Sequence, residues 1–135
     1  MKKPASWKIS RDEKEDYGAA AKTPALCLAL VSKAPNTYLA TVIIRLTLLE
    51  LSAAIEQEGL PATAAAFKKQ LAGKVREFLE QATSTGTETM PEHWQASVRR
   101  FYGRHKGNDL KKAAAAATDE FNRPIAELAA ANYPE

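Results

Sequence analysis

The densest group of chemically capable side chains lies between residues 99 and 112. This segment holds six Lys or Arg residues and one acid, Asp109, which gives a local charge of +5. Arginine makes bidentate contacts with phosphate, and lysine adds point charges beside it. This density favours an anionic partner, most commonly nucleic acid. We call these cations the basic segment: Arg99, Arg100, Arg104, Lys106, Lys111 and Lys112.

A helix through this region places the cations on both sides of an apolar face. At about 100° per residue, Arg99 and Lys106 share one flank, and Arg100 and Arg104 share the other. Tyr102 lies beside the first flank, where it is predicted to stack on a base or a ribose. The core face itself carries Trp94, Val98 and Phe101.

Lys111 and Lys112 follow the turn at Gly107, near the amino-terminal end of the next helix. Cations there oppose the helix dipole, at an end that attracts anions, so the placement suggests a phosphate site. Base-specific recognition is not indicated, because neither a helix-turn-helix pattern nor a zinc module is present. The alternative is a solvated basic face, or one paired with the acids Asp12, Glu13, Glu15 and Asp16.

Residues that perform catalysis are sparse. The two histidines, His93 and His105, stand twelve positions apart, and the six glycines are too scattered for a phosphate loop. We predict a solvated His93, a half-buried structural His105 and a buried, inert thiol at Cys27. We therefore expect no enzyme activity, no metal and no cofactor. A small enzyme whose site is assembled from distant residues remains an alternative.

The elements that carry these residues are predicted to be helices throughout. Alanine, the best helix former, is concentrated in three runs, and the alternation typical of strands is nearly absent. At 135 residues and 45% hydrophobic content, the chain matches one domain with its own core. We expect a single all-α domain over residues 1–135, a bundle of about five to seven helices.

Capping signals place the first helices. Ser10 and Glu13 form a capping box for a helix that ends near Gly18, and Thr23-Pro24 begins a second helix that stops before Pro35. Asn36 or Thr37 caps the longest helix, which runs to about Glu58 before Gly59.

Later signals place the remaining helices. Pro61 is predicted to open a fourth helix, and a polar loop over residues 83–89 leads to a capping box from Thr89 to Glu92. Gly107-Asn108 ends the fifth helix, and the sixth runs from Asp109 to about Asn122. Pro124 either kinks that helix or begins a short final one.

The helix over about residues 37–58 is apolar around most of its circumference, which predicts a buried central helix. Its polar stripe is Thr41, Arg45, Ser52 and Glu56. A membrane span is the alternative, but the most apolar stretch, residues 39–51, is short and carries Arg45. With no secretory signal and a single cysteine, we expect a cytoplasmic protein without a membrane partner.

Two stretches resemble a known family. Residues 17–25, YGAAAKTPA, look like the start of the carboxy-terminal helical region of large subunits in type I CRISPR interference complexes. The stretch from Gln95 through Phe101-Tyr102 to Arg104-His105 is similar to the end of that region, with spacing shifted by about one residue. The chain continues about thirty residues further.

The resemblance implies a small, non-catalytic helical subunit of a ribonucleoprotein, present in several copies, that helps to hold guide and target strands. Only Arg104 and His105 among the residues above have counterparts in the family. The first functional hypothesis is therefore a helical subunit that contacts the nucleic-acid phosphate backbone without sequence specificity. The alternative is a protein-binding adaptor or inhibitor with aromatic anchors at Trp7, Tyr38, Tyr102 or Tyr133.

Overall fold

The computed structural model describes residues 1–33, 37–82 and 92–134. Within these ranges the chain forms seven helices and no strand, which confirms the all-α bundle. Four predicted features lie outside the described residues and side chains. They are the stop before Pro35, the caps at residues 36 and 37, the loop over 83–89 and the capping box at Thr89. The helices are α1 Arg11–Lys22, α2 Pro24–Lys33, α3 Thr37–Glu58, α4 Ala64–Gln81, α5 Glu92–Arg104, α6 Asn108–Asp119 and α7 Asn122–Asn132.

Helix α1 begins at the predicted capping box but ends later than expected. The Ser10 hydroxyl accepts from the Glu13 amide at 3.1 Å, and the Glu13 carboxylate accepts from the Ser10 amide at 3.0 Å. The predicted end near Gly18 is wrong, because the helix continues to Lys22. Gly18 keeps a negative φ, and the alanines that follow favour helix.

Helix α2 is buried on every side. All residues from Ala25 to Val31 are at most 8% exposed, and the helix contacts α1, α3, α4, α5 and α6. Its ten residues carry no charge before Lys33, so no face of the helix requires solvent. The helix at the centre of the bundle is therefore α2 rather than the longer one over residues 37–58.

Helix α3 has the predicted bounds, and Gly59 follows it with φ +108°, a conformation that favours glycine. It packs against α1, α2, α4 and α7 while leaving Tyr38 and Glu50 exposed. Ser52 was expected on a polar stripe but is 1% exposed, and its hydroxyl donates to the Leu49 carbonyl at 3.1 Å. By length and composition alone, Tyr38–Glu58 could cross a membrane.

Helix α4 starts at Ala64, and not at Pro61. The Thr63 hydroxyl accepts from the Ala66 amide at 3.2 Å and so caps the helix. The Pro61 carbonyl instead accepts from the Tyr133 hydroxyl at 2.6 Å. The core face of this helix consists of Phe67, Leu71, Val75 and Leu79, which are fully buried.

The last three helices follow the predicted order with shorter spans. Helix α5 ends at Arg104, three residues before Gly107, and α6 ends at Asp119. Pro124 does not kink one long helix; it lies in the first turn of the separate helix α7. Phe121, between α6 and α7, is fully buried and anchors the junction.

Candidate nucleic-acid interface

The apolar face of α5 decides where its cations lie. Val98 is fully buried and Phe101 is 3% exposed, and this face packs against α2. Because the core takes that side of the helix, the guanidinium groups of Arg99, Arg100 and Arg104 remain on the solvent side. The three arginines flank the apolar face as predicted. The predicted flank shared by Arg99 and Lys106 is wrong, because the helix ends at Arg104 and Lys106 lies beyond it.

All six cations of the basic segment are exposed. Among the residues that the structure describes, none of the six side chains makes a hydrogen bond or lies within 4.0 Å of a carboxylate. The proposed pairing with acids of α1 is not found in those ranges. Glu15 lies 3.5 Å from Arg11 instead, and Glu13 accepts from Ser10 and Tyr38.

The turn between α5 and α6 presents an uncapped helix start. Gly107 adopts φ 55° and ψ −123°, and no side chain caps the amides that follow. Lys111 and Lys112 stand exposed one turn later, whereas Asp109 places one negative charge in the first turn. The two lysines are thus available to an anion near this end, with Asp109 as a competing charge.

Tyr102 is held by the fold. Its hydroxyl donates to the carbonyls of Ala25 at 3.3 Å and Ala82 at 3.1 Å, and its ring meets Phe101 edge-on at 5.1 Å. Burial raises the pKa of Tyr102 to about 12. These contacts tie α5 to α2 and to the end of α4. They favour a structural role for Tyr102 over the predicted base stacking.

Both histidines have the environments predicted for them. His93 is exposed, with its ring 5.0 Å from that of Trp94. His105 is half-buried and stacks on Phe101 at 4.4 Å, and its Nδ1 lies 3.1 Å from the Phe101 carbonyl. Because a carbonyl only accepts, Nδ1 is the donor in this bond.

Cys27 lies fully buried in α2, as predicted. Burial raises the pKa of its thiol to about 12, so the thiolate is disfavoured and reactivity is low. Its sulfur lies 3.6 Å from the Thr47 hydroxyl. Over the described ranges, no group of three His, Cys, Asp or Glu side chains is arranged to hold a metal ion.

Most of the aromatic anchors expected for a protein-binding adaptor belong to the core. Trp7 is 1% exposed, and Tyr102 and Tyr133 are half-buried with their hydroxyls bonded inside the fold. Tyr38 alone of the four is exposed, at 59%. The adaptor hypothesis therefore retains one of the side chains on which it was based.

The sequence did not reveal a cleft of about 780 Å³ between α3 and the α6–α7 pair. Its polar residues include Arg45, His105, Glu120 and Arg123, and its walls are mostly alanine, Val31, Ile44 and Pro124. These residues come from distant parts of the chain, so no local spacing marks them. The available signal was Arg45, the one cation in the sequence of α3.

Comparison with known proteins gives no further assignment. No family model matches the chain, and neither curated proteins nor solved structures yield a significant match. The resemblance to a CRISPR subunit therefore stays a prediction based on residues 17–25 and 95–105.

Proposed function

We propose that this protein is a non-catalytic helical subunit that binds the phosphate backbone of nucleic acid without sequence specificity. The observation that carries the proposal is the basic segment. Its six cations are all exposed, and none is neutralised by a described carboxylate. Free guanidinium and ammonium groups along one short stretch attract a polyanion and release its counterions on binding.

The chemistry of the segment matches backbone contact better than base reading. Arginine provides bidentate hydrogen bonds to phosphate, and such contacts position a protein on nucleic acid without specifying sequence. Both aromatic residues inside the segment's α5 portion are engaged by the fold. Phe101 is 3% exposed, and the Tyr102 hydroxyl donates to two backbone carbonyls. Electrostatics, rather than stacking, therefore supplies the proposed affinity.

The resemblance extends the proposal to a ribonucleoprotein assembly. Arg104 and His105 are the residues with counterparts in the small helical subunits of type I CRISPR complexes. Arg104 is exposed, whereas His105 stacks on Phe101 and bonds the Phe101 carbonyl. We therefore assign a backbone contact to Arg104 and a positioning role at the end of α5 to His105.

The test is a charge reversal with a matched control. The variant R99E/R100E/R104E changes the net charge by −6, and so does K8E/K68E/K69E, which alters exposed lysines outside the segment. Fluorescence anisotropy with labelled single- and double-stranded oligonucleotides should detect loss of binding by the first variant and retention by the second. Circular dichroism should show the same helical signal for both.

Equal loss by both variants would mean that binding follows net charge alone and would refute an assigned surface. Unchanged binding by R99E/R100E/R104E would refute the proposal itself. If the parent binds no nucleic acid but retains a protein partner after nuclease treatment, the adaptor hypothesis replaces it.

A further inference from the structure

The cleft beside α3 contains a cation, Arg45, that forms no ion pair with any described carboxylate. Arg45 projects from the middle of α3, is half-buried and lines the cleft. Its guanidinium carbon lies 5.6 Å from the centre of the Trp7 ring. Among the described residues, no carboxylate lies within 4.0 Å of this side chain.

Two of the other charged side chains that line the cleft, Glu127 and Arg123, are already engaged, whereas Glu120 is exposed. One oxygen of Glu127 accepts from the Trp7 indole at 2.9 Å, and the other lies 3.9 Å from Arg123. The Arg123 side chain is 93% exposed, so it marks the rim of the cleft rather than its interior. Arg45 is thus the inner cation, which lies against an aromatic face and has no acid partner in the part of the chain that the structure describes.

The walls near Arg45 are small and apolar. Ala40 and Ile44 come from α3, and Ala113, Ala116 and Ala117 come from α6. Alanine side chains leave the space between the helices open, which explains a cleft of about 780 Å³ in a bundle with a closed core. That volume is in the range that holds small ligands.

We propose that this cleft binds a small monocarboxylate with an unbranched apolar chain. The carboxylate would accept hydrogen bonds from the Arg45 guanidinium, and the chain would lie along the alanine wall of α6. A partly desolvated cation without a counter-ion gains most from an anionic head group, and the apolar walls select an apolar body. The site uses none of the six cations of the basic segment, so it is independent of the proposed function.

The chemical test is a ligand series measured by isothermal titration calorimetry on the full chain. Octanoate should bind one to one. Affinity should fall about fourfold for each methylene removed on going to hexanoate, because each buried methylene contributes that factor. Because neither 1-octanol nor octylamine offers Arg45 a carboxylate, both should bind at least about tenfold more weakly than octanoate. Octylamine also tests whether Glu120, the exposed carboxylate at the rim of the cleft, attracts a cationic head group.

The fluorescence of Trp7 reports on ligand binding beside Arg45. Trp94 is the other tryptophan, and it packs against Tyr17 away from the cleft. In a W94F background, octanoate should change the Trp7 fluorescence with the same midpoint as the calorimetric titration, because its carboxylate would alter the charge above the indole.

Substitutions of Arg45 are compared with a control substitution of Arg123. R45M keeps an unbranched apolar stem without the charge and should weaken octanoate binding at least about tenfold while leaving 1-octanol unchanged. R123M, at the exposed rim, should change octanoate affinity less than about threefold. R45K retains a charge without the bidentate fork and should lie between the parent and R45M.

Three results would overturn the proposal: equal binding of octanoate and 1-octanol by the parent, octanoate binding that R45M leaves unchanged, or binding that does not saturate at one site. If R45M fails to fold, R45K and the ligand series decide the question.

Discussion

The indole nitrogen of Trp7 donates to a carboxylate oxygen of Glu127 at 2.9 Å, although 120 positions separate the two residues. This bond joins the segment before α1 to α7, and the Trp7 ring beneath Arg45 is 1% exposed. A second link lies nearby, where the Asn132 side chain exchanges two hydrogen bonds with the Lys2 backbone at 2.7 and 2.9 Å. The two ends of the chain therefore stabilise each other.

The bond between Trp7 and Glu127 should be measurable as stability. W7F removes the donor and part of a buried ring, so we expect a loss of about 2–3 kcal/mol in the free energy of unfolding. W94F makes the same chemical change at a half-buried ring whose N–H meets no described partner, and it should cost about 1 kcal/mol or less. Urea denaturation followed by circular dichroism compares them. Equal losses would contradict a special role for the Trp7–Glu127 bond.

Gly107 and Gly73 should respond oppositely to alanine. Gly107 has φ +55°, where a β-carbon is strained, so G107A should destabilise the protein by about 1–2 kcal/mol. Gly73 lies inside α4, and a β-carbon there would meet nothing within 4 Å. G73A should therefore stabilise the protein by about 0.5–1 kcal/mol. Thermal unfolding midpoints that shift the same way for both variants would argue against the turn geometry.

Stability should decline at high pH. Burial raises the pKa of Cys27 to about 12 from an ordinary value of 9.0, and that of Tyr102 to about 12 from 10.0. Both groups ionise more readily in the unfolded chain, so their contribution is complete below about pH 9 and is lost as pH rises toward 12. Urea denaturation at several pH values should show this decline, and C27A/Y102F should flatten it. A slope unchanged by C27A/Y102F would contradict these pKa shifts.

Cys27 should also be slow to react. Its thiol is fully buried, and its pKa of about 12 keeps the thiolate scarce at neutral pH. We expect a thiol-specific reagent to label the native chain only through unfolding, with a rate that rises steeply in urea. Rapid stoichiometric labelling of the folded protein would contradict the position of α2 at the centre of the bundle.

Substitutions of Tyr102 distinguish a structural role of this residue from a role in stacking on bases. Y102F removes the bonds to Ala25 and Ala82, which should cost about 1 kcal/mol of stability. Y102L removes the ring as well and should cost more, yet both folded variants should bind oligonucleotides as the parent does. If Tyr102 stacks on a base, Y102L would instead weaken binding by about 1–3 kcal/mol. Anisotropy titrations below the unfolding temperature distinguish these outcomes.

The sequence was sufficient where local chemistry decides the structure. Gly59 ends α3 because a glycine accepts φ +108°, and Ser10 with Glu13 starts α1 through bonds within four residues. The exposure of the basic segment also followed from the spacing of Val98 and Phe101, which turns the α5 cations away from the core.

Local sequence patterns did not predict the contacts between residues that are distant in the chain. The Trp7 indole donates to a carboxylate 120 residues away, and Tyr102 bonds carbonyls in two other parts of the chain. The burial of α2 depends on the five helices around it, which its own ten residues do not specify. The cleft at Arg45 is likewise formed by side chains from α2, α3, α6, α7 and the turn before α6.

The most direct test of the central claim is the salt dependence of oligonucleotide binding. If the six exposed cations contact phosphate, parent affinity for duplex DNA should fall about 10³-fold between 50 and 200 mM salt. R99E/R100E/R104E should lower the slope of log affinity against log salt by at least about 2.7, since each lost contact removes about 0.9. K8E/K68E/K69E should keep the parent slope. A parent that binds no nucleic acid, or a slope that R99E/R100E/R104E leaves unchanged, would contradict the account.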